Sequence, residues 1–417
     1  MLDQILSDEN LKTACQRVYQ NQGVPGVDKM TVSALKGFLG KNQEKIKKLI
    51  QQQRFKPQPV LRVERPKGES DVRLLGIPTA VDRLIQQAIY QVISPIFEKQ
   101  FHNHSYGYRP NRSCEMAVMK SLEILNDGHV WVVDIDLETF FDLINHDKLM
   151  TVVAKTIKDE TVTALIRKYL TCGVMVRGKF QQTTKGVCQG SPLSPLLSNI
   201  MLGELDQKLA AKGLEFVRYS DDVLIFAKSS RKAKRVMKSV SHYIASQLDL
   251  VVNMEKSQVS PPTDVKFLGF SYAKVKSWRA IPHPESVKKF RGKMKSLTDH
   301  SLILSLKDRN ERLKQSIQGW VVYFRMADME GVLVQLDEEL RFRMRVVIWK
   351  EWVARNRQIV SLVKFGVSAN EAEELAWSRK GDHFIGNSKT LQRALSGERL
   401  KEMGVPSIVD CYLRYRV

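Results

Sequence analysis

Two carboxylates stand side by side in the stretch FVRYSDDVLIFAK, residues 216–228, between two apolar runs. Aspartate is depleted in strands, so Asp221 and Asp222 read either as a solvated hairpin turn or as metal ligands at a hairpin tip. A second acidic set, Asp134 and Asp136, ends the apolar run HVWVVDID, and strand alternation puts both on one face. Singly, each set is most simply a turn or a strand end. Together they change the odds, because stacked carboxylates repel one another unless a cation resides among them. Mg²⁺ is commonly held by one or two carboxylates plus substrate phosphates. Two such ions about 3.5–4 Å apart clamp the attacking and leaving oxygens of an in-line phosphoryl transfer. Phe140 and Phe141 follow Asp136 and offer a wall against which a nucleotide sugar could be tested. The loop GVCQGSPLSP adds glycines that permit close backbone approach and a glutamine, Gln189, that both donates and accepts hydrogen bonds. Core aromatics and a plain chain turn remain the alternatives for these last features.

Chemistry of this kind needs a polyanionic substrate, and the charge balance fits one. The 417 residues carry 66 Lys and Arg against 45 Asp and Glu, a net charge of +21. Such a surface attracts nucleic acid or an anionic membrane. No apolar run approaches the roughly 20 residues that cross a bilayer, and the start, MLDQILSDENLKTACQRV, reads as an amphipathic helix rather than a secretory leader. Nucleic acid is the expected partner and a membrane is not. Cys15, Cys114, Cys172, Cys188 and Cys411 are odd in number and never paired as Cys-x-x-Cys, which points away from a disulfide framework or zinc site and towards a reducing, cytoplasmic setting.

The elements that must position these residues follow from pattern. LKTACQRVYQNQG reads as a helix capped by Gly23, and a second helix follows the loop GVPGVDKM. Alternating arms Val60–Val63 and Val72–Leu75 flank the turn PKGESD and predict a hairpin. A helix is predicted in TAVDRLIQQAIYQVISPIFEKQF, then a strand at 131–136, a helix after QGSPLSP, the acidic hairpin, a further helix, and short strands in LVVNMEKSQV and VKFLGFSYAKV. From about Ser286 the pattern is helical and basic, interleaved with Trp320, Tyr323, Phe324, Trp349 and Trp352, which suits either backbone neutralisation with stacking or a bundle core. The expected class is α+β.

At these residues the chain resembles the reverse transcriptases encoded by bacterial group II introns and their free-standing relatives. DIDLETFFDLINHD resembles their first palm motif, QGSPLSPLLSNI their nucleotide-proximal loop, RYSDDVLIF their Tyr-x-Asp-Asp hairpin, and NMEKSQV and KFLGF their later palm and primer-grip motifs. The resemblance implies a right-hand polymerase: N-terminal extension and fingers at 1–115, an antiparallel-sheet palm at 116–272, an all-α thumb at 273–355, and a DNA-binding-like segment at 356–417. It implies RNA-directed DNA polymerisation with two Mg²⁺ ions, Mn²⁺ substituting, held by Asp136, Asp221 and Asp222 with Ile135 at the metal and nucleotide. Phe141 would gate against the ribose 2′-hydroxyl, Gln189 and Gly190 would lie under the dNTP, and Lys67 and Arg73 would meet its triphosphate. Lys256 would protonate the leaving pyrophosphate. Arg109 and Arg112, the loop Gly23, Val24, Pro25, Gly26 and Val27, and Phe267, Leu268 and Gly269 would hold template and primer. No His/Cys cluster follows, so the endonuclease module of some relatives is not expected. Ser220 replaces the family's usual Ala, and Cys188 and Ser191 depart from its Pro-Gln-Gly-Gly loop. Expected partners are an RNA template, a DNA or RNA primer, dNTPs and structured intron RNA. The alternatives are an RNA-binding maturase, or a free-standing enzyme recruited to DNA repair or phage defence.

Overall fold

The computed structural model describes residues 1–67 and 71–416, with residues 67 and 71–73 described in their main chain alone. The chain forms two compact units, Met1–Pro262 and Thr263–Val417.

The first unit holds two four-stranded sheets. Strands β1 (Val60–Lys67), β2 (Asp71–Ile77), β4 (Val174–Val176) and β5 (Lys179–Gln181) form one, in the order β2-β1-β4-β5. The hairpin register Val63↔Leu75 is antiparallel, as alternation predicts, whereas β1 and β4 run parallel. The β4–β5 hairpin carries no strong period-2 signal and is found only in the structure. The second sheet, in the order β6-β7-β3-β8, comprises β3 (Trp131–Ile135), β6 (Glu215–Tyr219), β7 (Asp222–Ala227) and β8 (Gln258–Ser260), all antiparallel. β3 and β7 are central, so their buried residues read as apolar runs rather than alternation. The helix Ser230–Tyr243 packs against β3.

Three local expectations need correction. The amphipathic start splits into Leu2–Ile5 and Asp8–Gln20, because the Ser7 hydroxyl accepts from Asn10 N and starts a new helix. That second helix ends at Gln20, and the left-handed residue beyond it is Gln22 (φ 48°), not Gly23. The strand expected around Leu250–Val252 reduces to the single bridge Leu137↔Val252.

The helix Ala80–Glu98 is capped by Thr79, whose hydroxyl accepts from Asp82 N and donates to the Asp82 carboxylate at 2.7 Å. Asp82 is buried, and burial pushes its carboxyl up to about 6 against an ordinary 3.8, only partly offset by the bonds from Thr79 and from Gln58 N. A raised folded value means that folding favours the protonated form. This contribution is therefore complete below pH 3.8 and is lost as pH rises through about 6. The shift corresponds to about 3 kcal/mol at most. In denaturant titrations at several pH values, Asp82→Asn should remove this loss of stability between pH 3.8 and 6; a variant with the wild-type pH slope would contradict it.

The second unit opens with the antiparallel pair β9 (Phe270–Lys274) and β10 (Trp278–Pro282). The second compact unit starts at Thr263, ahead of β9, so it opens with a hairpin before its helices. β9 and β10 form a two-stranded sheet, and Phe270 packs on Phe324 with ring centroids 4.7 Å apart. Helices Pro284–Leu297, Leu306–Phe324 and Glu330–Glu351 form the body, followed by short helices to Tyr415. Among the described residues no helix is long and apolar enough to cross a membrane.

Candidate active site

β6 and β7 are joined by a two-residue turn, Ser220–Asp221, closed by the pair Tyr219↔Asp222. β7 runs antiparallel to β3 with Ile135↔Val223 as the terminal pair. One step further along the same register, Asp136 lies opposite Asp222. Cross-strand neighbours share a face, so Asp134, Asp136 and Asp222 share one face while Ile135 and Val223 point into the core, 1% and 0% exposed. Ile135 can therefore meet a ligand only through its main chain. Asp221 sits at the turn, partly exposed, and Asp222 is exposed.

The electrostatics record the crowding. Burial, then the neighbouring Asp222, then Asp136, push the Asp134 carboxyl up to about 7, and no basic group offsets them. Strand alternation groups Asp134 with Asp136, but the family resemblance gives it no ligand role. Among the described residues no group of three or more His, Cys, Asp or Glu side chains is arranged to hold a metal ion by itself. The arrangement matches an open site, where carboxylates on one face hold Mg²⁺ jointly with substrate phosphates. The carboxylate crowding around Asp134 is what a divalent cation would relieve, and Asp136 and Asp222, with Asp221 on the turn, are the residues that would hold it.

The chain around Asp136 is clamped by a segment that sequence reasoning used only for its lysine. Asn253 N donates to the Asp136 carbonyl at 2.9 Å, and Asp136 N donates to the Ser257 hydroxyl at 3.0 Å. Asn253 Oδ1 in turn accepts from Glu255 N and Lys256 N. Lys256 is exposed on this short turn, which brings it into the neighbourhood of the acidic face. An Asn followed by tight polar spacing was the available signal.

Phe141 lies in the short helix Phe140–Leu143, 7% exposed, edge-on to Phe140 at 5.2 Å. Its ring belongs to the core of the unit, and its carbonyl accepts from Val187 N at 2.7 Å, tying the acidic strand to the Gln-Gly loop. That loop docks on β2: Gly76 N donates to the Gln189 carbonyl at 2.7 Å, and the Ser191 hydroxyl bonds the Gln86 side chain. Gly190 has φ 112°, and a Cβ there would stand 2.6 Å from the Gly76 carbonyl oxygen. Arg62 of β1 pairs with Asp142 at 2.8 Å beside a cavity of about 50 Å³, which Gly76, Cys188 and Gln189 also line. Hairpin and loop meet through glycine because there is no room for side chains. A Cβ on Gly76 would lie 2.2 Å from Cys188 Sγ and 2.7 Å from Val60 Cγ1. Gly76→Ala should therefore destabilise the unit by about 1–3 kcal/mol, and adding Cys188→Ala should recover part of that. A thermal-unfolding double-mutant cycle checks this, and strictly additive effects would refute the contact.

The remaining expected site residues separate. In the β1–β2 register Lys67 lies opposite Asp71 and Arg73 opposite Arg65, but the side chains of Lys67 and Arg73 lie outside the described residues. Arg109 is a correction: it is buried at 8%, bonded to both Glu98 oxygens and to the His102 and Ser105 carbonyls, so it folds the loop rather than reaching template. Arg112 bonds Asn103 from a half-exposed position over the Tyr106 ring. In the Gly23–Val27 loop, Arg83 donates to the Val24 carbonyl at 2.9 Å, Gly26 sits against Thr79, and the Val24 side chain is exposed.

In the second unit, Phe267 is buried, while Leu268 and Gly269 form a turn with both φ values positive, 51° and 82°. The Tyr323 hydroxyl donates to the Leu268 carbonyl, and His283 N and the Ser286 hydroxyl donate to that of Gly269. Of the interleaved aromatics, Phe324, Trp349 and Trp352 are core; Trp320 stacks on Phe290 at 4.5 Å, and Tyr323 is exposed beside Lys289 and Lys293 in an open groove of about 550 Å³.

Residues 65–272 match the family described as reverse transcriptase (RNA-dependent DNA polymerase), and residues 287–362 match the group II intron, maturase-specific domain. Protein YkfC of Escherichia coli (strain K12) is 29% identical over 304 residues, which cover 63% of this chain and 80% of YkfC. The group II intron-encoded protein LtrA of Lactococcus lactis subsp. cremoris is 36% identical over 238 residues, covering 55% of this chain but only 38% of LtrA. A solved structure of telomerase from Candida albicans with a fragment of telomeric RNA is 13% identical, with a TM-score of 0.45 over 79% of this chain and 68% of that one.

Proposed function

The chain belongs to the group II intron class of reverse transcriptases, and from that premise we propose that it extends a primer 3′ end with dNTPs along an RNA or DNA template. The observation that carries this reading is the β3–β7 register, which sets Asp136 opposite Asp222 beside a two-residue turn bearing Asp221. A pair of Mg²⁺ ions, or Mn²⁺ in their place, supplies charge neutralisation at the attacking and leaving oxygens when bound. The chain's own part is positional. The sheet holds the carboxylates on one face, and the Gln189–Gly190 loop lies where a nucleotide could approach bare backbone. Exposed Lys256 stands ready to give a proton to the departing pyrophosphate, and Arg112 and the Gly23–Val27 loop face template.

The test is extension of a DNA primer annealed to an RNA template with dNTPs and Mg²⁺. Metal-dependent product is expected, and its absence on both RNA and DNA templates would overturn the reading. The sugar gate has its own test. Phe141→Ala should lower discrimination against ribonucleotides by about 10- to 100-fold. Because the ring is also core, the ratio of dNTP to NTP incorporation is the readout, and an unchanged ratio would remove Phe141 from the gate. The match at residues 287–362 favours a second, coexisting role in binding structured intron RNA, supported by the net charge of +21.

A further inference from the structure

Arg218 is among the most deeply buried side chains of the described chain, and it lies in β6 two residues before Ser220. It and Asp206 are both 0% exposed. Nε and Nη2 donate to the two Asp206 oxygens at 2.8 and 2.5 Å, while Nη1 donates to Asn199 Oδ1 and to the Ser220 carbonyl, both at 2.9 Å. Asn199 and Asp206 are seven residues apart on the helix Ser194–Ala211, hence on one face. Asn199 also donates to the Gly107 carbonyl at 2.8 Å. Gly107 walls the turn: a Cβ there would stand 2.3 Å from Ser220 N.

Ser220 has φ 60°, whereas Asp221 is not among the residues with positive φ. A two-residue hairpin with positive φ at its first central position only is the pattern of a type II′ turn, where glycine is the usual residue. A non-glycine residue held there is strained and persists only where surroundings over-determine it. Ser220 does not compensate locally, since its buried hydroxyl has no hydrogen-bond partner among the described residues. What holds the turn is the guanidinium on its carbonyl and the Gly107 wall. A buried Arg–carboxylate pair is itself often no more stabilising than an apolar pair of similar volume. An apolar pair could not donate to the Ser220 carbonyl.

We propose that Arg218, oriented by Asp206 and Asn199, is a positioning residue whose bond to the Ser220 carbonyl holds the strained turn that keeps Asp221 and Asp222 aligned with Asp136. This rests on the polymerase reading for its catalytic consequence. The test is the apolar replacement Arg218→Met/Asp206→Leu. It should fold, with template–primer affinity unchanged and the turnover rate lowered by about 10- to 100-fold, the scale of an ångström-level misplacement. Hydrogen exchange at residues 220–223 should accelerate while residues 132–135 stay protected. Adding Ser220→Gly, which takes positive φ without strain, should recover both readouts in part, a rescue that a merely structural role would not produce. Wild-type turnover and wild-type protection in the folded double variant would overturn the proposal. If that variant fails to fold, Asn199→Ala, which leaves the ion pair intact, is read in the same two assays: slower turnover with faster exchange supports the clamp, and wild-type values in both overturn it. A wild-type protein that extends no primer refutes the polymerase reading instead, and the exchange data still decide the turn.

Discussion

On the proposed reading, Asp222→Ala should lower primer extension by about 10³-fold or more, because the several kcal/mol of charge stabilisation that carboxylate would organise convert at about 1.4 kcal/mol per tenfold. The fold is untouched, since Asp222 is exposed and its pairing with Tyr219 is made by the main chain. Asp136→Ala acts in the same direction from the opposite strand. Single-turnover extension, read beside a thermal melt, separates lost chemistry from lost structure. If Asp222→Ala extends as fast as wild type, the acidic face is not where the reaction occurs. The same variant resolves the second role: stimulation of intron splicing that persists in Asp222→Ala is RNA binding without polymerisation, while splicing lost in step with extension would tie the two together.

The largest effect on stability is expected at Arg218. Arg218→Ala leaves the Asp206 carboxylate 0% exposed and uncompensated, and breaking a buried pair in this way costs about 3–5 kcal/mol. The exposed pair Lys155–Glu204, 2.8 Å apart with side chains 56% and 35% exposed, is the internal control, because such pairs are worth about 0–1 kcal/mol. Denaturant unfolding of both variants makes the comparison. A loss at Arg218 no greater than that at Lys155 would mean that Asp206 finds another partner or takes a proton.

Some of the fold and the site is legible in the chain alone. The apolar runs of β3 and β7 and the alternating arms of the β1–β2 hairpin depend on local periodicity, and the structure forms strands at each of them. Asp134 and Asp136 share a face because alternation is a property of any strand. Misplaced features are those that depend on what a residue meets. Arg109 reads as a nucleic-acid contact and is a buried loop bracket, because nothing local announces Glu98 as its partner. Phe141 reads as a wall beside a sugar and is also core. The turn at Asn253 has a local signal, but its partner does not, since the bonds of Asn253 and Ser257 to Asp136 span more than a hundred residues.

The chain by itself determined the chemistry on offer: a basic body, aspartates at a strand end and a hairpin, and glycines where backbone must approach closely. Residue type and short spacing are enough for that, because charge and alternation are local. Only the tertiary structure decided that Asp136 faces Asp222, that Gly76 and Gly190 meet across two elements, and that the arginine preceding the hairpin is its clamp. Those outcomes depend on strand pairing and on desolvation. Both are set by which distant segments come together, and burial then turns an ordinary Arg–Asp pair into a fixed donor on the turn carrying the aspartates.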